Sequence, residues 1–135
     1  MAKVLVADDE RDIREMLVDT LVDAGYDVLE AAYGELALDL ARRESPDLVL
    51  LDVWMPVMDG LEVLRRLRES PDMEGLPVIL LTAMSAIEGE PAGLKLGVQH
   101  YITKPFDPDW VLCWRFGLRS ARQEGRPTAR RMTIQ

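Results

Sequence analysis

Polar side chains of three kinds follow the short apolar runs of this sequence. Asp8 and Asp9 come directly after one run, and Asp52 ends a second. Thr82 lies near the end of a third run, and Lys104 follows a fourth. The ligand site of an open parallel sheet lies outside the carboxyl ends of its strands. If the four runs are parallel strands, these five side chains meet in one crevice.

Three carboxylates in one crevice require a cation, because like charges about 4 Å apart repel by about 4 kcal/mol at an effective dielectric constant of about 20. Neither histidine nor cysteine accompanies the pattern, so a hard divalent ion with oxygen ligands, Mg²⁺, fits better than zinc. Beside such an ion, Asp52 becomes a nucleophile for a phosphoryl group. Lys104 would hold one phosphoryl oxygen by its charge, and Thr82 another by a hydroxyl hydrogen bond.

The intervening segments predict five strands and five helices. The strands are expected at Lys3–Ala7, 26–31, 47–52, Val78–Ala83 and 100–103. Apolar residues three and four apart predict helices over 11–24, ended by Gly25, over Gly34–Glu44 and over 61–70. A fourth helix, weakened by glycine and proline, is expected within 85–97, and a fifth begins near Asp107 or Pro108.

This alternation predicts a doubly wound, flavodoxin-like α/β fold with a five-stranded parallel sheet of order 2-1-3-4-5 and five flanking helices. A chain of 135 residues fits one domain, which we place at residues 1–122. Residues 123–135 lack apolar periodicity, so we expect a basic, disordered tail or linker there.

Composition and charge exclude several classes of protein. No apolar run approaches the roughly 20 residues of a membrane span and no signal peptide is visible, so we expect a cytoplasmic protein without a membrane partner. Cys113 is the only cysteine, which excludes an internal disulfide and a multi-thiolate zinc site. Residues 119–135 carry five arginines and one glutamate, a net charge of +4. Because the whole chain has a net charge of −8, residues 1–118 have a net charge of −12. An acidic domain disfavours direct nucleic-acid binding, and the basic end fits a linker better than a nucleic-acid contact.

Four motifs end the predicted strands: Asp8-Asp9, Asp52, Thr82-Ala83 and Lys104-Pro105. Together they resemble the receiver domain of two-component response regulators, and the resemblance covers residues 3–122. It implies a regulatory domain rather than an enzyme, with self-phosphorylation from small donors and self-dephosphorylation as its only reactions. It also implies that Asp52 accepts a phosphoryl group from the phosphohistidine of a sensor histidine kinase or a phosphotransfer protein.

The resemblance implies a metal site as well. Asp9 would bind Mg²⁺ directly and Asp8 mainly through water, while Asp52 and the backbone carbonyl of Trp54 complete the set. Trp54 and Met84 occupy the two positions that border the phosphoryl group in this family. Because bulky apolar side chains there could shield an acyl phosphate from water, we expect slow self-dephosphorylation.

The signalling surface is also implied by the resemblance. Thr82 and Tyr101 would switch together after phosphorylation and change a partner or dimer surface, and the Lys104-Pro105 peptide bond would be cis. Trp110 and Trp114 lie four apart and therefore on one face of the predicted last helix. They either pack in the core or stay partly exposed, and exposure would favour a homodimer through the last strand and helices.

Ordinary structural explanations exist for each residue taken alone. Asp8, Asp9 and Glu10 could cap the first helix, where acidic side chains favour the helix dipole. Thr82 is an ordinary strand residue, and Lys104 an ordinary surface residue, when either is considered singly. Their joint placement at successive strand ends favours a common site.

Two other functions share part of the pattern. A Mg²⁺-dependent aspartyl phosphatase of the haloacid dehalogenase type also places an aspartate after a strand, but it needs a second aspartate where Trp54 stands. A flavodoxin-like nucleotide or flavin binder shares the fold, but no glycine-rich phosphate loop follows the first predicted strand.

Overall fold

The computed structural model of the protein describes residues 2–83 and the strand at 100–104. The strands are β1 (Lys3–Ala7), β2 (Asp27–Ala31), β3 (Leu48–Asp52), β4 (Val78–Ala83) and β5 (His100–Lys104). The helices of the described part are α1 (Arg11–Asp23), α2 (Gly34–Glu44) and α3 (Gly60–Glu69). Each agrees with its prediction to within one or two residues at either end. The predicted fourth and fifth helices, the Lys104-Pro105 peptide, Met84, Trp110, Trp114 and the tail lie outside the described residues.

All five strands form one parallel sheet in the order β2-β1-β3-β4-β5, as predicted. The register pairs Ala7 of β1 with Leu51 of β3, and Asp52 with Leu81 of β4. Asp8 therefore follows β1 at the level where Asp52 ends β3. The carboxyl ends of the three central strands meet at one edge of the sheet.

The two faces of the sheet are covered by different helices. One buried cluster joins Val49 and Leu51 of β3 to the apolar faces of α2 and α3. The second joins Leu48 and Leu50 to α1. Every residue of β3 is buried, which explains why its sequence does not alternate between apolar and polar residues. Full burial of each leucine contributes about 2 kcal/mol, so β3 is held firmly between the layers.

Local signals end the helices where the sequence predicts. Gly25 follows α1 with a φ of 95°, the left-handed conformation that glycine adopts without steric cost. Ser45 ends α2 in the left-handed region, directly before Pro46. The Asp59 side chain caps α3 by accepting a hydrogen bond from the Glu62 backbone N–H at 2.9 Å. Within the described part, none of the helices has the length and apolar character needed to cross a membrane.

Candidate functional site

Asp8 is fixed at the end of β1 by three hydrogen bonds. Its backbone N–H donates to the Ala31 carbonyl of β2 at 3.1 Å, and its own carbonyl accepts from Arg14 Nη1 at 2.9 Å. Its side-chain Oδ1 accepts from the Glu10 backbone N–H at 2.8 Å. The carboxylate is buried, so these contacts decide where it points.

The acidic residues before α1 are not explained by capping of that helix. The N-cap residue is Glu10, and its side chain makes no capping hydrogen bond. The bond from the Glu10 N–H to Asp8 turns the chain before the helix begins. Asp9 is exposed beside this turn.

Asp52 lies on the last residue of β3 and is 2% exposed. The chain beyond it is tied to two neighbours: the Val53 N–H donates to the Leu81 carbonyl at 2.9 Å, and the Gly60 N–H donates to the Val53 carbonyl at 2.8 Å. A Cβ atom at Gly60 would lie 2.2 Å from the Asp52 carbonyl oxygen. Only glycine allows the start of α3 to approach the strand end this closely.

One carboxylate oxygen from each of Asp8, Asp9 and Asp52 lies within 4.8 Å of the others. Asp8 and Asp52 are buried, while Asp9 is exposed and faces solvent. Burial disfavours the charged form of a carboxylate, and a nearby cation offsets this cost. The three oxygen donors, without histidine or cysteine among them, suit a hard divalent ion such as Mg²⁺. The sequence prediction that these three residues come together is therefore met by the geometry.

The other predicted residues are placed by the backbone of β4 and β5. The register pairs Thr82 with Thr103 and Ala83 with Lys104. Both Thr82 and Lys104 therefore lie at the same edge of the sheet as Asp52, and Tyr101 lies within β5 opposite Leu80. The side chains of Thr82, Tyr101 and Lys104 are outside the described part, so their contacts remain predictions.

The loop after β3 contains both buried and exposed apolar residues. Met55 and Met58 pack into the core, whereas Trp54 is 55% exposed and Val57 is fully exposed. Val57 has a φ of 70°, a left-handed conformation that is strained for a β-branched side chain. Trp54, two residues after Asp52, therefore has a largely solvent-exposed side chain.

Two contributors to the site were not predicted from the sequence. Arg14 fell within the predicted first helix, and Gly60 fell between the predicted third strand and third helix. The Asp59-Gly60 pair, a helix cap followed by the smallest residue, is the one signal that could have indicated a close approach at the start of α3. The contact of Arg14 with Asp8 depends on the tertiary structure and leaves no local sequence signal.

Comparison with known proteins gives several relatives. Residues 4–112 match the response regulator receiver domain family. The probable transcriptional regulator ycf27 of Porphyridium aerugineum is 48% identical over 106 residues, which are 78% of this chain and 43% of that protein. The alkaline phosphatase synthesis transcriptional regulatory protein PhoP of Bacillus subtilis (strain 168) is 45% identical over 106 residues, with the same two coverages. This chain therefore spans less than half the length of these curated relatives.

Solved structures agree with the sequence matches. The chemotaxis protein CheY4 of Vibrio cholerae has a TM-score of 0.78 and 39% identity, over 83% of this chain and 93% of that chain. A putative response regulator from Chloroflexus aurantiacus J-10-fl has a TM-score of 0.79 and 37% identity, over 90% of this chain and 98% of that chain. These relatives are named as regulators, so the phosphatase alternative receives no support from them. With a match over most of its length and the predicted aspartates in place, the chain belongs to the response regulator receiver domain family, a family of regulatory domains.

Proposed function

We propose that this chain is a phosphorylation-dependent signalling switch in which Asp52 accepts the phosphoryl group. The observation that carries the proposal is the meeting of three carboxylates at the carboxyl ends of β1 and β3, with oxygens within 4.8 Å of one another. The donor is the phosphohistidine of a sensor histidine kinase or of a phosphotransfer protein. Family membership and the buried position of Asp52 support this assignment.

Asp8, Asp9, Asp52 and the backbone carbonyl of Trp54 would hold Mg²⁺. Asp9 is the exposed member of the group, which suits direct binding of an ion that arrives from solvent. Asp8 is buried and already bonded to the Glu10 N–H through Oδ1, which suits its expected role through water. When bound, the metal neutralises negative charge on the carboxylates and on the phosphoryl group.

In the transfer, a carboxylate oxygen of Asp52 attacks phosphorus as the bond from phosphorus to the donor imidazole breaks. The imidazole nitrogen keeps the electron pair of that bond and takes up a proton, and the product is an acyl phosphate. Lys104 and Thr82 bind phosphoryl oxygens by charge and by a hydroxyl hydrogen bond. Their places near the ends of β5 and β4, at the same edge of the sheet as the end of β3, support these roles.

Strands β4 and β5 also carry the residues that transmit the signal in this proposal. Thr82 and Tyr101 change position together after phosphorylation and thereby change a partner or dimer surface. A homodimer through the last strand and helices, including Trp110 and Trp114, is one such surface. In this proposal the domain comprises residues 1–122, acts in the cytoplasm, and neither inserts into membranes nor binds nucleic acid directly.

Intact-mass measurement after incubation with acetyl phosphate tests the metal-dependent reaction. We expect a mass gain of one phosphoryl group with Mg²⁺ and little gain when the metal is removed with a chelator. We also expect no sustained turnover of a small phosphomonoester, which a phosphatase would hydrolyse. Equal phosphorylation with and without metal would contradict the proposal, as would repeated phosphomonoester turnover.

A further inference from the structure

Arg14 connects the acidic pocket to strand β2. Its Nη1 donates to the Asp8 backbone carbonyl at 2.9 Å, and its Nε donates to Glu30 Oε1 at 3.1 Å. The Arg14 side chain is only 15% exposed, although it lies on an amphipathic surface helix. One guanidinium group therefore joins α1, the loop after β1, and the end of β2.

This arrangement differs from that of three exposed arginines on the described helices. Arg11, Arg43 and Arg65 form ion pairs with acidic residues of their own helices, at side-chain exposures between 48% and 78%. Such exposed pairs contribute little to stability. Arg14 instead makes two directed bonds across elements, which its rigid, planar donor fork is suited to do.

The bonds of Arg14 act on the residue that presents the first carboxylate. The N–H of Asp8 is held by Ala31 of β2, and its carbonyl is held by Arg14. Because both peptide groups of Asp8 are anchored, the direction of its buried side chain and the path of the chain toward Asp9 are fixed. Without Arg14, the peptide plane between Asp8 and Asp9 would lose its anchor and could rotate.

Charge and geometry predict opposite effects of Arg14 on a cation. An arginine close to a cation site repels the cation, although the ion pair with Glu30 offsets part of that repulsion. If charge dominated, a neutral residue at position 14 would strengthen metal binding. If anchoring dominates, the same replacement weakens it, since contacts that orient metal ligands typically change affinity by about 10 to 100-fold.

We infer that Arg14 is a positioning residue of the acidic pocket, which holds the Asp8 carbonyl so that Asp8 and Asp9 present their carboxylates for Mg²⁺. The inference rests on the proposed function, because it takes the pocket to be the metal site. In this inference Arg14 acts through the Asp8 backbone and contacts neither the metal nor the phosphoryl group. The contact with Glu30 serves to aim the guanidinium at the loop.

Titration calorimetry with Mg²⁺ alone tests the inference on the full chain. Arg14→Met removes the donors and the charge, whereas Arg14→Lys keeps the charge without the fork. Arg11→Met is the matched control, since Arg11 is on the same helix and is exposed. We expect the Kd for Mg²⁺ to rise about tenfold in both Arg14 variants and to change little in the control.

The free energy of unfolding of each variant, measured without Mg²⁺, separates positioning from general stabilisation. Weaker Mg²⁺ binding by a variant that is still fully folded supports positioning. If the native protein binds Mg²⁺ but the Kd of the Arg14 variants is unchanged or lowered, the inference about Arg14 is overturned and the proposed metal site is not. Failure of the native protein to bind Mg²⁺ overturns the proposed metal site and the inference with it.

A further variant keeps the test decisive if Arg14→Met does not fold. Glu30→Gln leaves Arg14 and its bond to the Asp8 carbonyl in place but weakens the second anchor. We expect it to raise the Kd less than Arg14→Lys does. An unchanged Kd in both Glu30→Gln and Arg14→Lys would overturn the inference.

Discussion

Single residues around Asp52 determine how the pocket can behave after phosphorylation. Asp52 is almost fully buried, while Trp54, two residues later, is 55% exposed. A large apolar side chain that borders an acyl phosphate would limit the approach of water to it. That Trp54 slows hydrolysis in this way stays a prediction from the sequence.

The lifetime of the phosphorylated protein tests this role of Trp54. We expect Trp54→Ala to lose its phosphoryl group several-fold faster than the native protein, because water reaches the acyl phosphate more easily. The decay is followed by intact mass after removal of the phosphodonor. Tyr33→Ala, which removes another half-exposed aromatic residue, is the control. Loss from the native protein within seconds would contradict a shielding role.

Gly60 allows the start of α3 to pack closely against the backbone of Asp52. A Cβ atom there would lie 2.2 Å from the Asp52 carbonyl oxygen and 2.9 Å from the Val53 Cα, and both are backbone atoms that cannot move aside cheaply. We expect Gly60→Ala to lower the free energy of unfolding by about 2 kcal/mol. Phosphorylation by acetyl phosphate should also be slower, since the end of β3 must shift.

Gly75 provides the matched control, because a Cβ atom there meets nothing within 4 Å. Gly75→Ala should leave phosphorylation unchanged and the free energy of unfolding equal to or slightly above that of the native protein. Denaturant unfolding and initial rates of mass gain measure both quantities. Equal behaviour of the two alanine variants would show that the close approach at Gly60 has no functional consequence.

Val57 carries backbone strain that a single substitution can remove. Its left-handed conformation costs a non-glycine residue about 1–2 kcal/mol, and its side chain is fully exposed. Replacement by glycine removes this cost from the folded state, but it lowers the free energy of unfolding by about 0.4–1 kcal/mol because the unfolded chain becomes more flexible. We expect Val57→Gly to raise the free energy of unfolding by up to about 1.6 kcal/mol.

Val22 supplies a control of opposite sign for the Val57 experiment. It is also an exposed valine, but it lies within α1, where glycine disfavours the helix. Val22→Gly should therefore lower the free energy of unfolding in the same denaturant titration. Destabilisation by Val57→Gly would argue that the loop does not hold this residue in a strained conformation.

Among the secondary-structure elements, α3 connects the site to the rest of the sheet. Its first residue packs against the end of β3, and its last turn is tied to the loop that leads into β4. Arg68 Nη1 donates to the Leu76 carbonyl at 2.8 Å and to the Met73 carbonyl at 3.3 Å. Partial burial lowers the pKa of Arg68, because desolvation disfavours its charged form. Hydrogen bonds to two carbonyl acceptors offset part of this cost.

Replacement of Arg68 tests how strongly α3 is anchored. Arg68→Met keeps much of the apolar stem and removes both donors, so we expect the free energy of unfolding to fall by about 1–2 kcal/mol. Arg65→Met on the same helix removes only exposed pairs with Glu62 and Glu69 and should have a smaller effect. Chemical denaturation measures both. A larger loss for Arg65→Met would contradict the anchoring role of Arg68.

For the whole molecule, features with a local cause were predictable and features with a tertiary cause were not. The uninterrupted apolar run before Asp52 predicted a strand buried on both faces, and all five residues of β3 are buried. Gly25 and Pro46 set the ends of their helices through their own backbone constraints. The parallel order of the sheet followed from the regular alternation of strands and helices.

The gathering of Asp8, Asp9 and Asp52 was predictable for the same reason, since a parallel sheet brings its carboxyl ends to one edge. The contacts that hold these aspartates in place were not predictable. Arg14 reaches Asp8 through a contact between elements, and Gly60 matters because of the distance between α3 and β3. Neither distance is encoded in residue spacing along the chain.

The site of phosphorylation is the most direct test of the central claim, and peptide mapping after acetyl phosphate treatment with Mg²⁺ provides it. Borohydride reduction before digestion marks an acyl phosphate, and we expect the mark on Asp52 of the native protein and of Asp72→Asn, an exposed control. Asp52→Asn should gain no phosphoryl mass. A mark on another residue of the native protein, or an equal mass gain in Asp52→Asn, would contradict the assignment of Asp52 as the phosphoacceptor.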